Sequence, residues 1–519
     1  MKATDKAKVP ALGLAVVAAA LFSLGALRIL VTFPNHDLAW LLYMAGEILD
    51  GARPYVDIIE TNPPLVVYLM IAVEWLSRAL SLGDFFVLKV LVLGLVAVSV
   101  TVGLVLLRRV LPGNRGWLVP VLTLLSIFLL VPFAGIEFAQ REHLMLVLLL
   151  PFLYVSALRA SGQSVPPSIG WIVGVAAGLG VALKPFFVLV WLGIEAYLFL
   201  VLRRKAWRRP EVVAIPAVLA AYVLSVLALT PAFLDLAAKG AGVYRTYHRS
   251  NPITIALSWP MAFSIVVLVT AWFLRRSVGR SPLRDLLSVA MGGFMIAVFV
   301  QNKGWDYHWY PVIVLGTLLL CLIAAELFLP LTRHPRRQLV GAVGVGILAI
   351  FLLVATAIEL RAARTEWDSA ARNKPYYLEA MAEIVEEHAF GGTISSLTTE
   401  LQASFPLVNL TSADWGSRFN CLWMLPGIYA DVISLQGPFP YHPPDQRGEV
   451  ERWMIESVIE DLAVKEPNLL IVDMNRPDRY MAGFDYLAYF SEDPRFRDLL
   501  AQYRFLTDVG RYRIFKRTL

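Results

Sequence analysis

Residues Phe33–Leu65 read FPNHDLAWLLYMAGEILDGARPYVDIIETNPPL. An apolar run at Ala11–Val31 precedes this stretch and another begins near Leu65. Between them stand Asp37, Glu47, Asp50, Asp57 and Glu60, with Arg53 the one Lys or Arg. Carboxylates beside a bilayer are costly unless a wet cavity or chemistry holds them there. The stretch therefore reads as the roof of a site over a membrane domain, with Asp37 its first acid. It is long for a helix–helix connection. Leu38, Leu41, Leu42, Ala45, Ile48 and Leu49 recur at helical spacing, which predicts a helix lying along the membrane surface. Asn62-Pro63-Pro64 makes a stiff entry into the next run. The plainer alternative is a solvated connector, in which acids cost little.

Outward from this stretch, the chain is apolar. Hydrophobic residues make up 58% and charged residues 17%, where a soluble domain carries roughly a quarter charged. Mean hydropathy is +0.63. Runs of membrane-spanning length lie near 10–32, 63–80, 86–107, 117–133, 143–158, 169–184, 186–202, 211–230, 254–274, 285–301, 309–330 and 339–360. This defines an α-helical polytopic membrane protein with about 11–13 spans. The net charge of +6 does not indicate nucleic acid, because the basic residues cluster between apolar runs. Lys2, Lys6 and Lys8 precede the first run, which reads as an uncleaved span rather than a signal peptide. Arg108, Arg109 and Arg115 form one basic linker, and Arg203, Arg204, Lys205, Arg208 and Arg209 a second. Arg275, Arg276, Arg280 and Arg284 form a third, and Arg333, Arg336 and Arg337 a fourth. The positive-inside rule places all four in the cytoplasm, and loop 33–62, residues 231–253 and 302–308 and the C-terminal part outside. The count conflicts with that assignment. Twelve spans are even, whereas a cytoplasmic start and an external end need an odd number. Two readable runs separate the acidic loop from the linker at 108–115, where one or three are required.

After residue 360 the character changes. RAARTEWDSAARNKPYYLEAMAEIVEEHA is charged and helical in period, and GTISSLTT, FPLVNLT, NLLIVDM and the hairpin-like YRFLTDVGRYRIFKR read as strands. The expected division is a transmembrane domain over 1–360 and a soluble, extracytoplasmic α/β domain over 361–519. Cys321 lies in an apolar run and Cys421 in the polar part, so no disulfide framework is indicated.

Polar clusters interrupt the apolar runs. Glu137-Phe138-Ala139-Gln140-Arg141-Glu142-His143 reads either as a capped helix start with an Arg–Glu pair or as an acceptor site. Glu142 and His143 are ligand types that suit a divalent metal ion, and no spacing specifies one. Lys184, before Pro185, either snorkels to the interface or meets a phosphate. Tyr244-Arg245-Thr246-Tyr247-His248-Arg249 suits lipid headgroups or a phosphosugar. Gln301-Asn302-Lys303-Gly304-Trp305-Asp306-Tyr307-His308 suits an aromatic belt or a leaving phosphate. Asp414-Trp415-Gly416-Ser417-Arg418-Phe419 reads as a structural turn. Walker A, dinucleotide and zinc-protease motifs are absent from the sequence.

With these residues in view, the chain resembles the GT-C membrane glycosyltransferases of the aminoarabinose and protein O-mannosyl transferase types, which take a sugar from a polyprenyl phosphate. Their first external loop has an acid soon after the first span, a G-x-x-P-Y-like turn and a P-P-L entry. Here these are Asp37, Gly51-Ala52-Arg53-Pro54-Tyr55 and Pro63-Pro64-Leu65. Asn62 stands where the family has a lysine. The family's second acid falls at Glu142, and its G-x-x-x-x-x-K element at Gly178 to Lys184. The resemblance implies Asp37 and Glu142 as catalytic residues, and Glu60, Arg141, His143, Lys184, Arg245, Lys303 and His308 as substrate-binding ones. It implies a polyprenyl-phosphate-sugar donor, a lipid or glycan acceptor, membrane lipids as surroundings and no nucleic acid. Two rival readings are a transporter of a lipid or glycan and a non-catalytic envelope assembly protein.

Overall fold

This computed structural model describes residues 8–33, 35–113, 116–277, 280–328, 337–372, 377–432, 439–474, 481 and 483–518. Lys2, Lys6, Arg115, Arg333 and Arg336 of the basic segments lie outside them. The chain divides into two compact units. One comprises Met1–Phe33, Leu82–Ser225 and Ser250–Arg364, and the other Pro34–Ser81, Val226–Arg249 and Thr365–Leu519.

Among the described residues, nine helices are long and apolar enough to cross a membrane, and Leu118–Leu130 and Pro167–Ala182 are shorter apolar helices. These eleven match eleven of the twelve apolar runs. The exception is the run at 63–80, which forms the helix Pro64–Leu80. It has 17 residues, with Glu74 and Arg78 in its last two turns. Arg78 bonds Glu74 at 2.8 Å and Asp50 at 2.6 Å. Its Val66, Val67, Met70 and Val73 are buried. Tyr68, on its second turn, bonds Thr230 at 2.6 Å, just past the apolar helix Pro210–Leu229. This helix is therefore a packed hairpin partner of His36–Leu49 and not a span. Counting eleven spans removes the conflict: one helix, Asp84–Val110, now separates the acidic stretch from the linker after it.

In the helical unit, glycines set the close approaches that matter for the site. A Cβ on Gly178 would lie 2.9 Å from Val218, and one on Gly174 2.8 Å from Ala214. Small residues at this spacing let two backbones approach within a membrane. They seat the helix Pro167–Ala182 against Pro210–Leu229 and so fix the chain just before Lys184. The linker arginines are tied into the same unit. Arg209 pairs with Glu195, Arg284 with Glu326 at 2.5 Å and Arg109 with the Ser164 carbonyl at 2.6 Å.

The second unit holds a five-stranded sheet. We number its strands β1 Thr393–Leu397, β2 Asp414–Trp415, β3 Leu469–Asp473, β4 Tyr503–Val509 and β5 Tyr512–Arg517. Their spatial order is β2-β1-β3-β5-β4. β1 runs parallel to β2 and β3, and β5 antiparallel to β3 and β4. β1 and β3 are almost wholly buried, as strands covered on both faces must be. FPLVNLT is not a strand: it turns at Pro406 into the short helix Leu407–Leu410, and the Phe405 ring joins the core.

The acidic stretch is part of this sheet unit. Asn35 caps the helix His36–Leu49, accepting from the Asp37 and Leu38 amides. Leu38, Leu41, Leu42 and Ala45 form the buried face of this helix. Trp40 and Tyr43 pack on Phe405, with ring centroids 5.1 and 5.6 Å apart. The Ile59 amide donates to the Arg418 carbonyl at 2.8 Å, and the Trp415 amide to the Tyr43 hydroxyl at 3.1 Å. The turn at Asp414–Phe419 is structural, held by Arg418 bonds to Asp461 and Glu460.

Candidate active site

In the helical unit, three separately read residues meet. Lys184 is a single extended residue (φ −152, ψ 129) between the helix Pro167–Ala182 and the turn Pro185–Phe187. A residue before proline is driven out of the helical region, so the break is written in Lys184-Pro185. Glu142 sits in the first turn of Arg141–Ala160, and His308 in the first turn of Asp306–Phe328. Lys184 Nζ donates to Glu142 Oε1 at 2.7 Å and to His308 Nε2 at 3.0 Å. The ammonium also lies 5.2 Å from the Tyr307 ring centroid, a cation–π contact that the sequence reading missed. All three side chains are buried. An ammonium only donates, so His308 Nε2 accepts, and the neutral imidazole carries its proton on Nδ1. Glu142 Oε2 and His308 Nδ1 are buried without a hydrogen-bond partner. Lys184, Arg141 and Lys303 all act electrostatically on His308.

Lys303 follows Asn302, whose left-handed conformation ends the helix Pro282–Gln301. Ser250 clasps this turn, its hydroxyl to the Lys303 carbonyl at 2.7 Å and its amide to the Asn302 carbonyl at 2.9 Å. Lys303 is 6% exposed, and burial brings its ammonium down to about 8.

His143 differs from the expectation of a binding residue. Its Nδ1 accepts from the Ala139 amide at 3.3 Å, and its Nε2 meets the Leu130 carbonyl at 2.8 Å. Tyr310 donates to the Leu129 carbonyl at 2.7 Å. Together they satisfy the last carbonyls of Leu118–Leu130, which no intrahelical amide reaches. Glu142 and His143 therefore bond different partners, Glu142 the Lys184 ammonium and His143 the Ala139 amide and Leu130 carbonyl. Among the described residues, no three His, Cys, Asp or Glu are grouped to hold a metal ion.

In the sheet unit, the acids take different roles. Glu60 is 2% exposed. The Trp40 indole donates to its Oε2 at 2.6 Å, and the Asn62 amide and Thr61 hydroxyl to its Oε1 at 2.6 and 3.2 Å. It staples the loop's end to its helix. Asp37, in the first helical turn, keeps a quarter of its side chain exposed and lies 3.7 Å from His36. Burial pushes the Cys421 thiol up, and the charges of Glu60, Asp37 and Glu400 add to that push. Burial also pushes Glu47 up. The Arg53 side chain holds the exposed Asp57 down at about 2. Arg245 is exposed in the last turn of Ala232–Thr246.

Among the described residues, eleven apolar helices and a unit carrying a five-stranded sheet make up a polytopic helical membrane fold with a small sheet domain. The fold is similar to that of ArnT from Cupriavidus metallidurans bound to undecaprenyl phosphate, with a TM-score of 0.60 at 12% identity, over 99% of this chain and 98% of that one. The apo state of the same protein gives a TM-score of 0.57 at 11% identity, over 97% and 98%. No family model matches the chain. No curated protein matches it either.

Proposed function

We propose that this protein is a membrane glycosyltransferase that moves a sugar from a polyprenyl-phosphate-linked donor to a cell-envelope acceptor at the outer face of the inner, or plasma, membrane. The observation that carries the reading is the assembled Lys184–Glu142–His308 cluster, with the charges of Arg141 and Lys303 upon it. Positive charge from Lys184, Arg141 and Lys303 acts at this cluster, and a phosphodiester that departs as a phosphate monoester gains negative charge as it leaves. The full-length likeness of fold to a structure holding undecaprenyl phosphate supports the same donor class.

In the reaction, Asp37 takes the proton of the acceptor hydroxyl. The acceptor oxygen bonds the anomeric carbon as the bond from that carbon to the phosphate oxygen breaks, and polyprenyl phosphate leaves as a phosphate monoester. The outer-face assignment rests on the eleven-span count. With the basic linkers at 108–115, 203–209, 275–284 and 333–337 read as cytoplasmic, the positive-inside rule supports this reading. Cysteines placed at Asp50 and Glu449 should both label from outside intact cells. Mass spectrometry of envelope glycans with and without the gene tests the function: one glycan should lose a sugar in the deletion, and an unchanged envelope would count against transfer.

A further inference from the structure

The cluster's two unmatched atoms differ in kind. Glu142 Oε2 only accepts, and His308 Nδ1, in the tautomer fixed by Lys184, only donates. A buried polar atom left without a partner is expensive, so such atoms are rare in a native site unless a ligand completes them. A phosphate diester accepts only and carries negative charge. It answers His308 but is repelled by Glu142, whose charge is already matched to Lys184 at 2.7 Å. A polyol answers both, one hydroxyl donating to the carboxylate and another accepting from the imidazole. The two groups sit on one lysine, with Glu142 Oε1 and His308 Nε2 4.0 Å apart, so the unmatched oxygen and nitrogen belong to adjacent side chains.

We infer that Glu142 and His308 bind hydroxyl groups of the donor's sugar, with Lys184 as the post that orients both, while the lipid phosphate is left to Arg141 and Lys303. The inference rests on the donor class proposed above and goes beyond it by separating sugar recognition from phosphate recognition within one cluster. It also revises the sequence reading, in which Lys184 meets the phosphate directly.

The test uses the full chain in lipid nanodiscs and two sets of probes: bare undecaprenyl phosphate, and synthetic undecaprenyl-phosphate glucose, mannose and arabinose. Wild type should bind the bare lipid and at least one sugar-bearing lipid more tightly. His308→Ala should weaken the preferred sugar-bearing lipid by about tenfold, the worth of a buried donor, and leave the bare lipid within about twofold. Retained binding of the bare lipid also shows that the variant is folded. Two conservative variants separate the ring nitrogens. Asparagine sets its amide N–H near the place of Nδ1, and glutamine sets its amide near that of Nε2. His308→Asn should keep sugar binding, while His308→Gln should lose it as alanine does. Equal losses for both lipids, no loss for either, or the reverse order of Asn and Gln would overturn the inference while leaving the donor class standing. A wild-type protein that binds none of the four lipids would overturn the donor class itself, and this inference with it.

Discussion

Glu142 in the helical unit and Glu60 in the sheet unit are equally buried, each 2% exposed, and they do opposite things. Glu60 is filled by neutral donors from its own loop: an indole, an amide and a hydroxyl within two residues or across one helix. Glu142 takes one bond from a lysine 42 residues away and has a second oxygen unmatched. The contrast separates a carboxylate that holds structure from one built to receive something. Burial does not distinguish them, whereas the origin of the partners and the completeness of the bonding do.

The largest effect expected on this comparison comes from a third carboxylate, Asp37, whose side chain is about a quarter exposed where the other two are buried. Asp37→Asn keeps size but cannot take a proton, so turnover should fall by roughly 100- to 10,000-fold with normal membrane insertion. His36→Ala, beside it, should cost far less. Next is Lys184→Ala, which strands the buried Glu142 charge. Breaking such a pair costs about 3–5 kcal/mol, read as a lower melting temperature in detergent. Lys184→Arg should do less damage because a cation remains, though its geometry differs. If alanine and arginine at 184 behave like wild type, Glu142 is not the paired charge described here.

Glu60→Gln should be milder. It presents an amide donor to groups that already donate, costing about 1–3 kcal/mol in stability, with a smaller loss of turnover than Asp37→Asn. A Glu60→Gln protein that is stable yet inactive would move Glu60 from staple to site. The smallest effect concerns pH. Lys303 loses its proton above about 8 because burial disfavours the charge. Its contribution to phosphate binding is full below that value and fades above it, and Lys303→Arg should carry binding to higher pH. The sign for folding is opposite: the unfolded chain binds this proton up to the ordinary lysine range, so stability rises with pH from about 8 toward about 10.4.

Much of this was legible in the sequence. The apolar runs and the α/β tail follow from hydropathy and period. Glu142, Lys184 and His308 each stood out as polar residues at the edge of an apolar run, but nothing in one dimension says that three helix ends converge. The helix Pro64–Leu80 read as a span because its composition is apolar, and only packing shows that Val66, Val67, Met70 and Val73 are covered by protein. For Glu60 and His143 the sequence shows the polar residue but not the Trp40, Asn62, Ala139 and Leu130 partners that bond it. The parity of the spans was the one internal sign of a conflict, and it lay between residues 33 and 202.

The central claim is tested most directly by donor turnover. The purified full chain in nanodiscs, supplied with sugar-bearing undecaprenyl phosphates and envelope acceptor extract, should release undecaprenyl phosphate, followed by mass spectrometry. The account predicts that wild type consumes at least one of these donors and that Asp37→Asn, inserted normally, consumes it at least about a hundredfold more slowly. Consumption of none by the wild type, or turnover by Asp37→Asn above about a tenth of the wild-type rate, would contradict it.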